Sequence, residues 1–259
     1  MTVREALRDA ERRLVAAGVP TPRVDAELLV AHVLGTTRSG VYVDMERVID
    51  GLEPLLTRRA AREPLAYVLG EWGFRRLTLK TDPRALVPRP ETEVVVERAV
   101  ALVRDLEEPR VLDIGVGGGA IALAIADEHP GARVTGVDVS ADALALAHEN
   151  AERFGLAVEL REGGIEAAAA GWDLVVSNPP YVETLEGVEP ELSHEPRGAL
   201  VGRGLHEEIA RVAETTWLVL ETGDGQAPIV AAALAAAGYR DIRITPDLTG
   251  EGRVVEGRC

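Results

Sequence analysis

Aromatic residues make up only 3% of this 259-residue chain, and cysteine occurs once, as Cys259. With so few aromatics, any core must be aliphatic, drawn from Ala, Val and Leu within the 46% of residues that are apolar. One cysteine excludes a disulfide framework and a cysteine metal cluster, and no metal site is expected. Basic residues are also scarce: 28 Lys and Arg against 43 Asp and Glu leave a net charge of −15. A protein that lives on nucleic-acid backbone needs Lys and Arg to neutralise phosphates, so this balance argues against one while permitting a local basic cleft. No apolar run approaches about 18 residues. Acidic Glu5 and Asp9 leave no signal-peptide core near the N-terminus. The expectation is a soluble, cytoplasmic chain away from membranes, long enough for one large domain or a large and a small one.

The first stretch reads as helices. "VREALRDAERRLVAAG" places Val3, Leu7, Ala10 and Leu14 at three-to-four spacing and stops at Gly18. "TPRVDAELLVAHVLG" starts at a Thr-Pro boundary, puts Val24, Leu28 and Val33 on one face and ends at Gly35; His32 reads as a packing residue there. A third helix is expected over Val48–Arg62. From Trp72 to Val87 the texture suggests a hairpin, with "TDPR" as its turn. "PRPETEVVVERAVALV" then opens a helix whose first turn is acidic.

After Pro109 strands and helices alternate. Strands are predicted at 110–115, 133–138, 158–160, 173–178 and 217–222, and helices at Ala120–Glu128, Ala141–Phe154, Leu205–Glu214 and Pro228–Ala237. This alternation implies a parallel sheet covered on both faces. "DIRITP" and "GRVVEGR" are joined by a linker too short for a crossover helix, so they should pair antiparallel at one edge.

"DIGVGGGA" follows the first of these strands and opens a helix. Gly115, Gly117 and Gly119 allow a sharp turn and a close ligand approach, and Asp138 ends the next strand where a carboxylate can accept from ribose hydroxyls. The pattern fits either a dinucleotide or S-adenosylmethionine. Asp113, just before the glycines, would repel a pyrophosphate and attract an ammonium group.

In "DLVVSNPPYVE" an apolar strand ends in Asn178-Pro179-Pro180-Tyr181, a sequence no strand interior can hold, because proline offers no N–H to the ladder. Open parallel sheets place their ligands outside the carboxyl ends of the strands, so this rigid corner should lie beside the glycine loop. The Asn178 side-chain oxygen and the Pro179 carbonyl can accept both hydrogens of a planar NH2 group and hold a poorly nucleophilic nitrogen in line with a methyl donor. Tyr181 offers a face for a flat amide or base. The chemistry would be positioning and electrostatics rather than strong-base catalysis.

Asn-Pro-Pro-Tyr with an Asp-x-Gly-x-Gly-x-Gly loop is shared by methyltransferases of adenine, guanine or glutamine nitrogens. With "PLAYVLGEWGF", "LVPRPETE", "TPRVDAELLVAHVLG", "EPRGALVG" and "EGRVVEGR", the chain resembles the peptide chain release factor glutamine methyltransferases (PrmC/HemK) over nearly its whole length. The resemblance implies an α/β fold: a class I, Rossmann-like, seven-stranded S-adenosylmethionine-dependent methyltransferase domain with a small N-terminal helical domain and a linking β-hairpin. The boundaries are 1–68 for the helical substrate-docking domain, 69–88 for the hairpin and 89–259 for the methyltransferase domain. The implied reaction methylates the side-chain amide of the glutamine in the Gly-Gly-Gln loop of release factors. These are the expected partners of a monomer that makes no direct nucleic-acid contact.

By motif position, S-adenosylmethionine would be bound by Asp113, Gly115, Val116, Gly117, Gly118, Gly119, Asp138, Ile165 and Asn178, with Phe74, Arg89 and Glu91 nearby. Asn178, Pro179, Pro180 and Tyr181 would hold the glutamine. The chain departs from the family pattern at Val116 and Gly118, which replace small hydroxyl residues. It departs again in "EGGIE", where Gly164 stands in place of an acid and Ile165 at the adenine-packing position, implying weakened cofactor contacts. It also lacks a Lys-Pro-Gly-Gly turn before the fifth strand. Two alternatives follow: a nucleic-acid amino-group methyltransferase, or a weakened paralogue serving as a binding scaffold. An NAD oxidoreductase would leave Asn178–Tyr181 unused.

Overall fold

The computed structural model describes all residues except Glu183 and Leu185. The chain divides into two compact units, one of residues 1–71 with 188–194 and one of 72–187 with 195–259. The hairpin therefore falls almost wholly in the second unit. A short segment following the Asn-Pro-Pro-Tyr corner belongs to the first.

In the helical unit, α1 spans Val3–Ala16, α2 Pro22–Leu34, α3 Leu52–Ala60 and α4 Leu65–Leu69. A capping box starts α1: Glu5 N–H donates to Thr2 Oγ1 at 3.2 Å and Thr2 N–H to Glu5 Oε2 at 2.8 Å. Its Val3, Ala6, Leu7, Ala10 and Leu14 face the unit's core, as the periodicity predicts. On α2 the buried set is Asp25–Glu27 and Leu29–Ala31, while Val24, Leu28 and Val33 are only partly covered and His32 is exposed. The apolar face thus lies a residue away from the expected one and leaves His32 on the exposed side of the helix. The third helix is shorter than Val48–Arg62 because Gly51, at φ 88°, breaks the helical backbone just before Leu52. Upstream, Val48 forms a bridge with Thr2.

An ion cluster around Arg59 accounts for Asp25 inside α2, and Arg23, Arg38 and Tyr42 hold the buried Glu27. Arg59 Nε donates to Asp25 Oδ2 at 2.6 Å and Arg59 Nη1 to Glu191 Oε1 at 2.8 Å, while Arg62 Nη2 reaches Glu191 Oε2 at 2.6 Å. This cluster carries residues 188–194 into the unit.

In the second unit, β1 (Glu71–Phe74) and β2 (Leu77–Lys80) form the hairpin. Its turn is at Arg75-Arg76, with Arg75 at φ 52°, not at "TDPR". Glu93 Oε1 takes the Arg75 N–H at 2.9 Å, which satisfies this unusual turn. Helix α5 covers Thr92–Val103. Then follow β3 (Arg110–Ile114), α6 (Ala120–Glu128), β4 (Arg133–Asp138), α7 (Ala141–Phe154), β5 (Val158–Glu162) and β6 (Trp172–Ser177). The chain continues through α8 (Arg197–Leu200), α9 (Leu205–Val212), β7 (Thr215–Glu221), α10 (Ala227–Ala236), β8 (Arg240–Pro246) and β9 (Gly252–Arg258).

The sheet order is β5-β4-β3-β6-β7-β9-β8, parallel from β5 to β7 and antiparallel at β9 and β8. Successive side chains serve opposite faces. Val111, Leu174, Val176, Val219 and Val254 join the core on one face with α5 and α6. Leu112, Val175, Leu218, Leu220 and Val255 join the other with α9 and α10. The near-continuous aliphatic strands are therefore required by a sheet buried on both sides. Strand order reverses at β3 and β6, where a doubly wound sheet opens its crevice.

Removing the Arg59 side chain leaves Asp25 buried without its counter-charge, while the half-buried Glu191 keeps Arg62. Arg59→Ala should destabilise the helical unit by about 3–5 kcal/mol. Arg4→Ala, at the exposed pair with Glu46, should cost no more than about 1 kcal/mol. Denaturant unfolding of both variants checks the contrast.

Candidate active site

The end of β3 turns directly toward β4. Gly115 and Val116 both donate N–H to the Val137 carbonyl, at 2.8 and 2.9 Å. Gly119 starts α6 at φ 92°, and a Cβ there would lie 2.8 Å from Leu123 Cδ1, so the loop can close only on glycine. Asp138 braces the same loop: Oδ2 accepts from Gly117 N–H and Oδ1 from Ser140 N–H, both at 2.9 Å. Asn150, fully buried on α7, ties the loop to the hairpin by donating to the carbonyls of Gly118 and Lys80 and accepting from Lys80 N–H.

Two residues assigned to the cofactor point elsewhere. Val116 is buried in the core against β4, where a Cβ on Gly136 would come within 2.6 Å of its Cγ2. Its replacement of a small hydroxyl residue is thus matched by a glycine opposite. Asp113 is buried with Oδ2 on Ala122 N–H at 3.0 Å, and its Oδ1 has no partner. Burial pushes its pKa up to about 7.

The loop after β5 supplies an acid that the sequence reading missed. Gly164 N–H donates to Glu166 Oε1 at 2.7 Å, and a Cβ on residue 164 would meet Glu166 Oε2 at 2.9 Å. The Glu166 carboxylate therefore occupies the space of the missing side chain at 164. The Gly164 hydrogen bond holds its pKa below the usual range.

The Asn-Pro-Pro-Tyr corner is set beside the glycine loop by Ser177, whose Oγ donates to the Ile114 carbonyl at 2.7 Å. Asn178 Nδ2 donates to Thr92 Oγ1 at 3.3 Å. Gly202 passes so close that a Cβ would sit 2.6 Å from the Pro180 carbonyl oxygen. Gln226 Nε2 holds the Tyr181 carbonyl at 3.2 Å, and the Tyr181 ring stacks on His206 with centroids 6.5 Å apart.

A cavity of about 620 Å³ lies over these strand ends, within the size range of cofactor pockets. It gathers Gly115, Gly117, Asp138, Ile165, Asn178 and Pro180 from the expected set. Among the described residues, Asp113, Val116, Gly118, Gly119, Phe74, Arg89, Glu91, Pro179 and Tyr181 do not line it. Phe74 packs in the core beneath the hairpin. Arg89 binds the buried Glu195, whose Oε2 also takes Val87 N–H at 2.9 Å. Glu91 caps α5, and Tyr181 borders a separate cavity with His206 and Gln226.

The cavity wall also includes residues the sequence reading passed over: Arg84–Leu86, Val139, Ser140, Glu166, Pro196 and Ala199. Val139 is an apolar residue left 78% exposed, a signal of a surface awaiting a partner. The charge of Arg84 is taken by Asp82 and Glu149 at 2.7–2.9 Å. The wall therefore presents carboxylates and apolar groups, a poor setting for a pyrophosphate and a suitable one for a cationic adenosyl ligand.

Comparison with known proteins agrees with this architecture. The PrmC N-terminal domain family matches residues 5–70, and the methyltransferase small domain family matches 95–204. The chain is 43% identical to the release factor glutamine methyltransferase of Deinococcus radiodurans, covering 100% of this chain and 99% of that one. It is 40% identical to the protein of that name from Geobacter sulfurreducens, over 99% and 96%. Among solved structures, the hMettl16 catalytic domain in complex with the MAT2A 3'UTR hairpin 6 is similar at TM-score 0.56 and 15% identity, over 79% of this chain and 81% of that one. The T. thermophilus 16S rRNA N2 G1207 methyltransferase is similar at TM-score 0.51 and 17% identity, over 73% and 49%. These two structures share the fold.

The fit of Val116 against β4 is open to direct measurement. Gly136→Ala should overpack the site and cost about 1–3 kcal/mol. Adding Val116→Ala should restore much of that loss. Chemical denaturation of the single and double variants reads the coupling, and simple additivity would contradict the packing described.

Proposed function

This chain belongs to the release factor glutamine methyltransferase family, and we propose on that premise that Asn178 orients the acceptor nitrogen in its reaction. The enzyme is an S-adenosylmethionine-dependent protein-glutamine N-methyltransferase. Its acceptor is the side-chain amide of a release factor glutamine, read here as the one in the Gly-Gly-Gln loop. The observation that carries the Asn178 assignment is its position: it lines the same cavity as Gly115, Gly117 and Asp138, at the carboxyl end of the adjacent strand.

The cofactor, when bound, supplies an activated methyl group on a sulfonium. Asp138 keeps acceptor capacity for ribose hydroxyls after receiving its two backbone donors. Val139 and Ile165 offer apolar walls to a flat base, and Glu166 takes the role of the acid missing at 164. Glu166 in that place supports reading the chain as an active enzyme rather than a weakened scaffold.

At the acceptor, Asn178 Oδ1 and the Pro179 carbonyl receive the two amide hydrogens. That leaves the nitrogen fixed in direction, and prolines on both sides of the Pro179 carbonyl keep it from turning. Such preorganisation lowers the barrier without a base. The helical unit docks the release factor, since it carries no constellation of this kind and a lone glutamine side chain offers little surface for selection. The chain works as a monomer without direct nucleic-acid contact, a reading its acidity supports. Among the described residues no helix is long and apolar enough to cross a membrane.

Intact-mass analysis of a release factor incubated with this protein and S-adenosylmethionine should show the gain of one methyl group, mapped to the glutamine. Absence of that gain, or its transfer to another residue, would overturn the function.

Asn178→Ala should lower single-turnover methylation roughly a hundredfold or more, with cofactor affinity intact. Asp138→Ala should instead weaken cofactor binding by about 1.5–3 kcal/mol in calorimetry. A short glutamine-loop peptide should be a far poorer substrate than the intact factor by kcat/KM. Equal values would remove the docking role.

A further inference from the structure

Glu221 ends β7 with its side chain fully buried, and its Oε2 has no hydrogen-bond partner. Burial pushes its pKa up to about 7, while the Thr92 hydroxyl and the charge of Arg253 pull it down. A carboxyl kept in such a place is costly unless it has work there.

Its neighbours lead back to the acceptor corner. The Tyr181 hydroxyl lies 3.4 Å from Glu221 Oε1. Thr92 lies close enough to favour the charged carboxylate, and the oxygen of Thr92 accepts from Asn178 Nδ2. A threonine hydroxyl has one proton and two lone pairs. With Asn178 on a lone pair, the Thr92 proton is left to turn toward a second acceptor, and the neighbouring Glu221 carboxylate is placed to attract it. The two arms of an asparagine amide point apart, so Nδ2 on Thr92 leaves Oδ1 for the cavity that Asn178 lines.

We propose that Glu221 is a positioning residue for the methyl acceptor: through Thr92 it fixes the Asn178 amide so that its oxygen, not its NH2, meets the substrate nitrogen. The proposal rests on the reading of Asn178 given above. An inverted amide would confront the substrate N–H with another donor.

The turn after β7 reinforces the arrangement. A Cβ on Gly223 would lie 2.9 Å from the Tyr181 ring. Gln226 Nε2 holds the Tyr181 carbonyl from the same turn, and His206 Nε2 contacts the Glu221 carbonyl at 2.8 Å. Residues 221–226 therefore grip both ends of the Asn-Pro-Pro-Tyr corner, Tyr181 directly and Asn178 through Thr92.

Glu221→Gln preserves size but offers an NH2 that can donate to Thr92 and reverse the relay. Release factor methylation should lose roughly a hundredfold in kcat, as for one preorganised polar contact, with little change in KM or in S-adenosylmethionine affinity. Thr92→Val should reproduce the loss, and Thr92→Ser should recover most of it. The double variant Glu221→Gln/Thr92→Val should fall no further than either single, because both break one relay.

The charged and titratable groups facing Glu221 are Arg253 from β9, Glu91 before α5, Tyr181 and His206. In the unaltered protein, protonating Glu221 turns it into a donor. The single-turnover rate should therefore fall as pH drops through about 7. In Glu221→Gln it should stay low across that range. A wild-type rate and an unchanged pH profile in Glu221→Gln overturn the proposal, as does full activity in Thr92→Val. If Glu221→Gln fails to fold, the Thr92 pair decides. Failure of the underlying reading would look different: Asn178→Ala would keep its turnover, or the unaltered protein would leave the glutamine unmethylated.

Discussion

The Val137 carbonyl, which accepts from both Gly115 and Val116, is the contact on which the site depends. One oxygen with two lone pairs takes two successive backbone donors, and the loop after β3 is thereby folded against the end of β4. With the loop in that place, Gly117 N–H falls on Asp138 and Gly118 carbonyl on Asn150. The requirement for glycine comes from this closure. The positive φ values at Gly115, Gly117 and Gly119, and the contact a Cβ at 119 would make with Leu123, are its consequences.

From that fixed loop the site grows by short polar links between strand ends. Ser177 ties β6 to β3, Gly163 N–H donates to the Asp138 carbonyl, and Glu195 ties the segment before α5 to that after the corner. Each link satisfies a backbone group at an end of the sheet, where the ladder can no longer do so. Rigidity and function thus have the same source, because groups that satisfy the strand ends also set the direction of the cavity wall.

Much of this was legible in the sequence. Helices α6 and α7 have the predicted limits, the β9 and β8 edge is antiparallel, and Asp138 and Asn178 meet at one cavity. These features depend on local periodicity or on where parallel strands end. The misreadings involve side chains that act over a distance. Glu166 reaches back to fill the space at 164, Glu93 stabilises a turn eighteen residues earlier, and Gly136 answers Val116 from another strand. Neither spacing nor composition marks such pairs. The same holds for His32: its apolar neighbours suggest burial, but the turn of α2 leaves it outside.

The buried carboxyls show how a strongly acidic chain can keep acids inside. Asp113 and Glu221 end or nearly end β3 and β7, each is fully covered, and each has one oxygen without a partner. Burial raises both well above the usual carboxylate range, which favours the neutral form and lessens the cost of an interior charge. Asp25 and Glu256 are treated differently, with arginines at 2.6–2.7 Å supplying the counter-charge. The pattern separates two kinds of buried acid. Asp25 and Glu256 are neutralised by arginine, whereas Asp113 and Glu221, at or near the ends of β3 and β7, each keep an open oxygen. An arginine on Glu221 would stabilise the charge but also occupy the oxygen, so the fold bears the cost of burial beside the Asn-Pro-Pro-Tyr corner, where an acceptor next to Thr92 has to remain available.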